Sequence, residues 1–198
     1  MHTIKGLKSN MNIFYLHEDP IQNAKWHIDK HIVKMPIEYA QLMSTAHRML
    51  DGEMYIDRTA NNHKIKRWRL NDERESVLYK ASHVNHPSAV WVRQSVENYM
   101  KMFKIYMATL AEYTNRYGKI HGSTKPSMLL IRPPKNIPMI KGTPIPQCMP
   151  DMCKVKDNPI LAYRNYYIVE KNSFASWKNR SIPEWFQTKD IMTTWQGA

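Results

Sequence analysis

Much is scarce in this 198-residue sequence, and each scarcity removes a class of protein. No apolar run approaches the roughly 20 residues that a membrane-crossing helix needs, so no spanning segment is expected. The opening MHTIKGLKSN has basic residues but no hydrophobic stretch of signal-peptide length behind it, which predicts a cytoplasmic setting. Only two cysteines occur, Cys148 and Cys153 in CMPDMC. Their spacing is not the C-x-x-C of a zinc or redox pair and no second pair completes a site, so they read as reduced thiols. There is no phosphate-binding loop, no G-x-G-x-x-G, no G-x-S-x-G and no H-E-x-x-H. Those absences remove nucleotide triphosphatases, Rossmann enzymes, serine hydrolases and typical zincins, and no cofactor is expected.

Acid is also short. Asp and Glu number 17 against 29 Lys and Arg, a formal charge of +12. An imbalance of that size speaks of partners rather than of fold, and polyanions come first, nucleic acid before anionic membrane. An apolar fraction of 42%, with six Trp and eleven Tyr, argues for a folded chain with one hydrophobic core.

Along the chain the signals are helical. Ile13 to Leu16 reads as an extended lead-in. Asp19-Pro20 is a helix start, and the helix is expected to run to about Leu50, with a kink or two abutting helices at Pro36. Its apolar stripe is Ile21, Ala24, Ile28, Ile32, Met35, Tyr39, Leu42 and Ala46. Asn61 onward reads as a charged connection with a short helix near Asn71 or Asp72. Pro87 opens and Gly118 closes one long helix, with Ala89, Val92, Val96, Tyr99, Phe103, Tyr106, Leu110, Tyr113 and Tyr117 at core spacing. Residues 132–150 carry six prolines in nineteen positions and read as an ordered, extended loop. Asn158-Pro159 starts a further helix, and IPEWF closes the ordered part. No hairpin alternation stands out. The expected architecture is all-α: a flexible extension at 1–10, a single helical domain at 11–190 and a tail at 191–198.

The first helix carries an unexpected line of polar groups. His27, His31, Lys34, Glu38, Gln41, Thr45 and Arg48 follow at spacings of 4, 3, 4, 3, 4 and 3, which puts them on one side of a helix. A buried carboxylate or guanidinium needs partners. Either the line is a structural ion network, or it floors a cleft with Lys34 as nucleophile or electrostatic stabiliser, Glu38 as proton shuttle, His31 beside them and Arg48 as anion clamp. His27 and His31, four apart, could share a metal with His17, Glu38 or His47 as third ligand, although nothing fixes which and no metal is assigned.

Elsewhere, His83, Asn85 and His86 precede a helix and lead into Arg93. They are either anion-binding groups facing that cleft or turn and cap residues. Lys64, Lys66, Arg67 and Arg69 surround Trp68, and Arg164 sits among tyrosines; cations interleaved with aromatics suit a nucleic-acid groove.

Two resemblances rest on these residues. From Met11 onward, MNIFYLHEDP, DKHIVKM, STAHR, NHPSAVWVR, PPKNIP, AYRNYYI and IPEWF together resemble a family of tailed-phage proteins. That resemblance implies a phage origin and the cytoplasm of an infected host cell, and carries no activity. The lead-in before a polar first helix, NHP before a long helix, RYGKI and YRNYY are similar to the phage-type pyrimidine-dimer DNA glycosylases, small all-α enzymes that nick DNA at photoproducts. This second resemblance implies an amine that forms a Schiff base with deoxyribose, an assisting helix glutamate and a basic groove that extrudes a base. The family's amine is N-terminal, whereas ten residues precede Met11 here. Either translation starts at Met11, or a lysine such as Lys34 supplies the amine, or the chemistry is absent. The expected function is therefore DNA glycosylase/lyase-like, with Glu38 the glutamate offered. A non-catalytic DNA-binding or host-takeover protein and a metal-dependent nuclease using His27, His31 and Glu38 are the alternatives.

Overall fold

The structure, a computed structural model, describes residues 11–187; the expected extension at 1–10, residues 188–190 and the tail lie outside them. Residues 11–16 run extended and are buried at every position, from Met11 through Leu16. Helix α1 (Pro20–Trp26) begins where expected: the Asp19 carboxylate accepts from the Gln22 amide at 2.7 Å, and proline occupies the first helical position.

The next helix does not continue from it. His27 and Ile28 are extended, and α2 (Asp29–Asp51) starts afresh. The kink or helix junction expected at Pro36 is thus replaced by a break eight residues earlier, and Pro36 lies within α2. His121 Nε2 lies 3.1 Å from the Val33 carbonyl in the turn before that proline.

A second correction concerns fold class. The described chain is mostly helical but not all-α, because β1 (Glu53–Arg58) and β2 (Lys64–Arg69) form a two-stranded antiparallel hairpin. The text read as a charged connection is its second strand. Its turn is closed by the Thr59 amide donating to the His63 carbonyl, with Asn62 at φ 61°. Gly52 feeds β1 because nothing larger fits: a Cβ there would lie 2.5 Å from the Arg48 carbonyl oxygen.

After the short α3 (Arg74–Val77), the expected long helix is two, α4 (Pro87–Gln94) and α5 (Val96–Tyr117). Ser95 between them is extended, and its hydroxyl accepts from the Asn98 amide at 3.1 Å, a cap that nucleates α5 anew. Gly118 ends α5 in the left-handed conformation at φ 65°, as expected of it.

A turn at α6 (Ser127–Leu130) leads into the proline-rich stretch, which is extended and tied down along its length. Its Lys135 and Asn136 amides donate to the Asp51 carboxylate, and Thr143 pairs with the Asn98 side chain. Helix α7 (Pro159–Tyr166) is capped by Asn158 and loosens into a π turn over Tyr167–Lys171; α8 (Glu184–Gln187) follows.

The core is unusual in its tyrosines. Tyr39, Tyr99, Tyr106, Tyr163 and Tyr167 are fully buried, and each hydroxyl has a partner. Burying a hydroxyl without one costs free energy, so these bonds dictate position as well as satisfy it. Of the expected α1–α2 stripe, all positions are buried except Ile21, which is exposed. In α5 the buried line runs through Met102, Ile105, Thr109, Glu112 and Arg116, carrying an ion pair into the interior.

Arg116 donates to Asp29 at 2.9 Å, to the Lys25 carbonyl at 2.8 Å and to Glu112 at 2.7 Å, and Glu112 also receives Arg180. Truncating it leaves Glu112 buried without its nearest cation. Arg116→Ala is expected to destabilise the fold by roughly 3–5 kcal/mol. A urea midpoint corresponding to a loss under about 1 kcal/mol would show that the network does not hold α1, α2 and α5 together.

Candidate functional site

The polar line on α2 proves to be two things in succession. At its first end the imidazoles are structural. His27 is fully buried at the α1–α2 break; its Nδ1 lies 2.7 Å from the Asn23 carbonyl, so it donates there, and Nε2 accepts from the Tyr39 hydroxyl at 3.1 Å. His31 stacks on Phe14 with centroids 3.9 Å apart, and its Nδ1 lies 2.6 Å from the Tyr167 hydroxyl. At the other end Arg48 is buried and engaged by five acceptors: the carbonyls of Trp68, Glu75, Leu78 and Tyr79, and the Glu75 carboxylate. That guanidinium ties the hairpin and the α3 loop to α2, so the expected anion clamp is corrected to a structural tie. Thr45 is likewise paired, with the backbone of Ser82. Gln41 is half-buried.

Between these ends lie Lys34 and Glu38. The Lys34 Nζ is 2.7 Å from Glu38 Oε1; the lysine side chain is 58% exposed and that of Glu38 6%. The second oxygen, Glu38 Oε2, is buried without a hydrogen-bond partner among the described residues. A buried carboxylate oxygen normally finds a donor, and Asn12 Oδ1 and Arg67 Nε likewise lack a hydrogen-bond partner among the described residues.

Burial governs the titration around the pair. His27 is pulled down to about 4 by burial, with Arg116 adding to the effect against Asn23 and Glu112. His31 lies well below its ordinary value for the same reason, reinforced by His27, Lys171 and Lys34. His47, weighed in sequence as a possible third metal ligand, is also held near 4 by burial and by Arg74. Its Nδ1 accepts from Arg74 at 2.9 Å, so Nε2 donates to Tyr99 at 2.7 Å, and Tyr99 donates to the Leu130 carbonyl. These rings are therefore neutral near pH 7. His31 supplies no positive charge to the pair beside it.

The remaining expected site residues fall into place as follows. His86 caps α4, its Nδ1 accepting from the Ser88 amide at 3.2 Å, and His83 takes a left-handed turn position at φ 49°. Arg93 donates to the Val84 carbonyl at 2.7 Å. These are turn and cap roles. Arg164, expected on a DNA surface, is half-buried: it donates to the Leu16 carbonyl at 3.0 Å and lies over the rings of Trp26 and Trp185. Lys64, Lys66 and Arg69 are exposed on β2, and Arg67 is half-buried near Asp57. The set His27, His31 and Glu38 offers no metal cradle, because both His27 nitrogens are engaged and no group of three His, Cys, Asp or Glu among the described residues is arranged to hold an ion. No helix among the described residues is long and apolar enough to cross a membrane.

Clefts elsewhere are open and mixed in character. One of about 630 Å³ is bordered by Glu18, Glu97, Lys101 and Lys104, and one of about 350 Å³ lies between β2 and the Ala81–Val84 segment. Comparison with protein-family models, with curated protein sequences and with solved structures finds no match.

Neutral burial of His27 and His47 has a consequence for stability. Unfolded, each binds a proton below its ordinary value of 6.5; folded, each does so only near 4. The unfolded chain therefore holds more protons across that window, and stability is full above pH 6.5 and falls as pH drops toward 4, by on the order of 3 kcal/mol per imidazole. Urea denaturation at pH 7 and pH 4.5 checks this. Equal midpoints at the two pH values would contradict the neutral, buried assignment.

Proposed function

We propose that this protein acts on DNA and that Lys34 and Glu38 form its reactive pair, in chemistry of the glycosylase/lyase type. What carries the reading is one asymmetry: an exposed amine is held 2.7 Å from a buried carboxylate whose other oxygen has no partner among the described residues. The amine can be reached from solvent, and a carboxylate stands within proton-transfer distance of it, the geometry that general acid–base assistance requires. In this reading Lys34 passes a proton to Glu38 and attacks C1′ of the open-chain sugar at an abasic site. Glu38 returns the proton as water leaves, and a protonated imine remains. The charge of +12 supports a polyanionic substrate. The phage resemblance would place that substrate in an infected host cell.

A second reading, DNA binding without chemistry, is favoured by the structural engagement of His27, His31 and Arg48, which leaves the pair few helpers. Borohydride trapping on a duplex with one abasic site separates the two. The catalytic reading expects a covalent band on a denaturing gel that is lost in Lys34→Ala and forms roughly 10²-fold more slowly in Glu38→Gln, with the circular dichroism of both variants unchanged. Undiminished trapping in Lys34→Ala removes Lys34 from the mechanism. No band with the unaltered protein, alongside salt-dependent binding, selects the second reading.

A further inference from the structure

The β1–β2 hairpin has two unlike faces, and its register assigns them. Residues directly opposite each other share a face. One face carries Glu53 opposite Arg69, Tyr55 opposite Arg67 and Asp57 opposite Ile65. It answers its own charge: Arg67 lies 4.0 Å from Asp57, Arg69 sits over the Tyr55 ring and Glu53 accepts from Asn71. The other carries Met54 opposite Trp68, Ile56 opposite Lys66 and Arg58 opposite Lys64. No acidic residue stands on it. Its Met54 and Ile56 are 52% and 55% exposed, and Arg58, Lys64 and Lys66 are exposed as well.

Apolar side chains of that size left in water between cations are the pattern of a surface whose partner has an apolar floor and anionic walls. The groove of a nucleic-acid duplex is such a partner, with base edges and thymine methyls below and phosphates on either side. The B-form major groove, about 12 Å wide, admits a two-stranded ribbon. Six residues per strand reach about 20 Å, enough to span it. The ribbon is also seated firmly at its base, where Arg48 grips the Trp68 carbonyl at 2.9 Å and Gly52 packs against the end of α2.

We propose that this ribbon enters the major groove of duplex DNA with Met54 and Ile56 toward the base edges and with Lys64, Lys66 and Arg58 on the flanking phosphates. The assignment rests on the DNA reading above, and holds for either its catalytic or its binding-only form.

Fluorescence anisotropy of the full chain on a labelled 20-base-pair duplex, titrated with salt, tests it. The double variant Lys64→Ala/Lys66→Ala is expected to lower the slope of log affinity against log salt by about 2, near 0.9 for each phosphate that is no longer neutralised. Ile56→Asp is expected to weaken binding roughly tenfold or more, since it sets a carboxylate between phosphates. Ile140→Asp, at an exposed apolar residue outside the ribbon, is expected to change little. Methyl green, a major-groove ligand, should compete and netropsin, a minor-groove ligand, should not. An unchanged slope in the double variant, competition by netropsin alone, or equal affinity for the single strand overturns the groove assignment while leaving DNA binding in place. Failure of the unaltered protein to bind duplex DNA, or preference for anionic vesicles, overturns the DNA reading itself.

Discussion

Arg116 is the constraint on which the arrangement of helices depends. Its guanidinium is buried and reaches the Lys25 carbonyl at the end of α1 and the Asp29 carboxylate at the start of α2, from a position on α5. The carbonyl at one helix end and the first carboxylate of the next are thereby fixed to one rigid group. The chain must turn at His27 and Ile28 for both bonds to be made. Asp29 also accepts the Lys178 amide, and Arg180 joins Glu112, so the C-terminal segment closes over the same point. An interior ion pair of this kind adds little net stability compared with an apolar replacement, yet it penalises alternatives that would leave a charge unpaired. Here the arrangement it selects is a helix break, and that break sets the direction of α2.

The same logic recurs in the tyrosines. Tyr39 meets His27, Tyr167 meets His31, and Tyr99 meets His47. Each pair satisfies two buried polar groups at once, and the last two register α2 against elements far away in sequence. The extended Met11–Leu16 segment passes through the middle of this network, with Phe14 stacked on His31 and the Leu16 amide bonded to Asn23 at 2.6 Å. Set beside such thorough pairing, the open oxygen of Glu38 stands out. His27, His31 and Arg48, which look equally chemical in sequence, are answered by partners; among the described residues Glu38 Oε2 is not, nor are Asn12 Oδ1 and Arg67 Nε.

Local chemistry made part of this legible. Asp19-Pro20, Gly118 and Asn158-Pro159 act within a few residues of themselves, and each marks the helix end expected of it. What escaped had causes distant in sequence. The break at His27 is imposed by Arg116, on another helix, and Pro36, the local signal, is absorbed within α2. Ser95 reads as one more position in an amphipathic run until its extended backbone is seen. The hairpin was hidden because neither of its faces is a core face: Met54, Tyr55 and Ile56 are adjacent and all apolar, so no period of two appears. In the candidate site, the spacing of polar residues along α2 was visible. Which of them answer one another was not, because the acceptors of Arg48 come from residues 20 to 31 positions away.

The two proposals meet on α2. Glu38, Gln41, Thr45 and Arg48 lie on one line of that helix, and ten residues separate the reactive pair from the guanidinium that seats the ribbon, about 15 Å along the axis. Successive phosphates of one strand advance about 3.4 Å each along the duplex axis, so a ribbon fixed in a groove and an amine 15 Å away on the same rigid element would address positions a few base pairs apart. Helix α2 would then act as a ruler between the place where the duplex is gripped and the place where a sugar is reached. Because Arg48 holds the ribbon through one backbone carbonyl, that of Trp68, rather than through ribbon side chains, residues on the surface proposed to face the groove could vary without disturbing that distance.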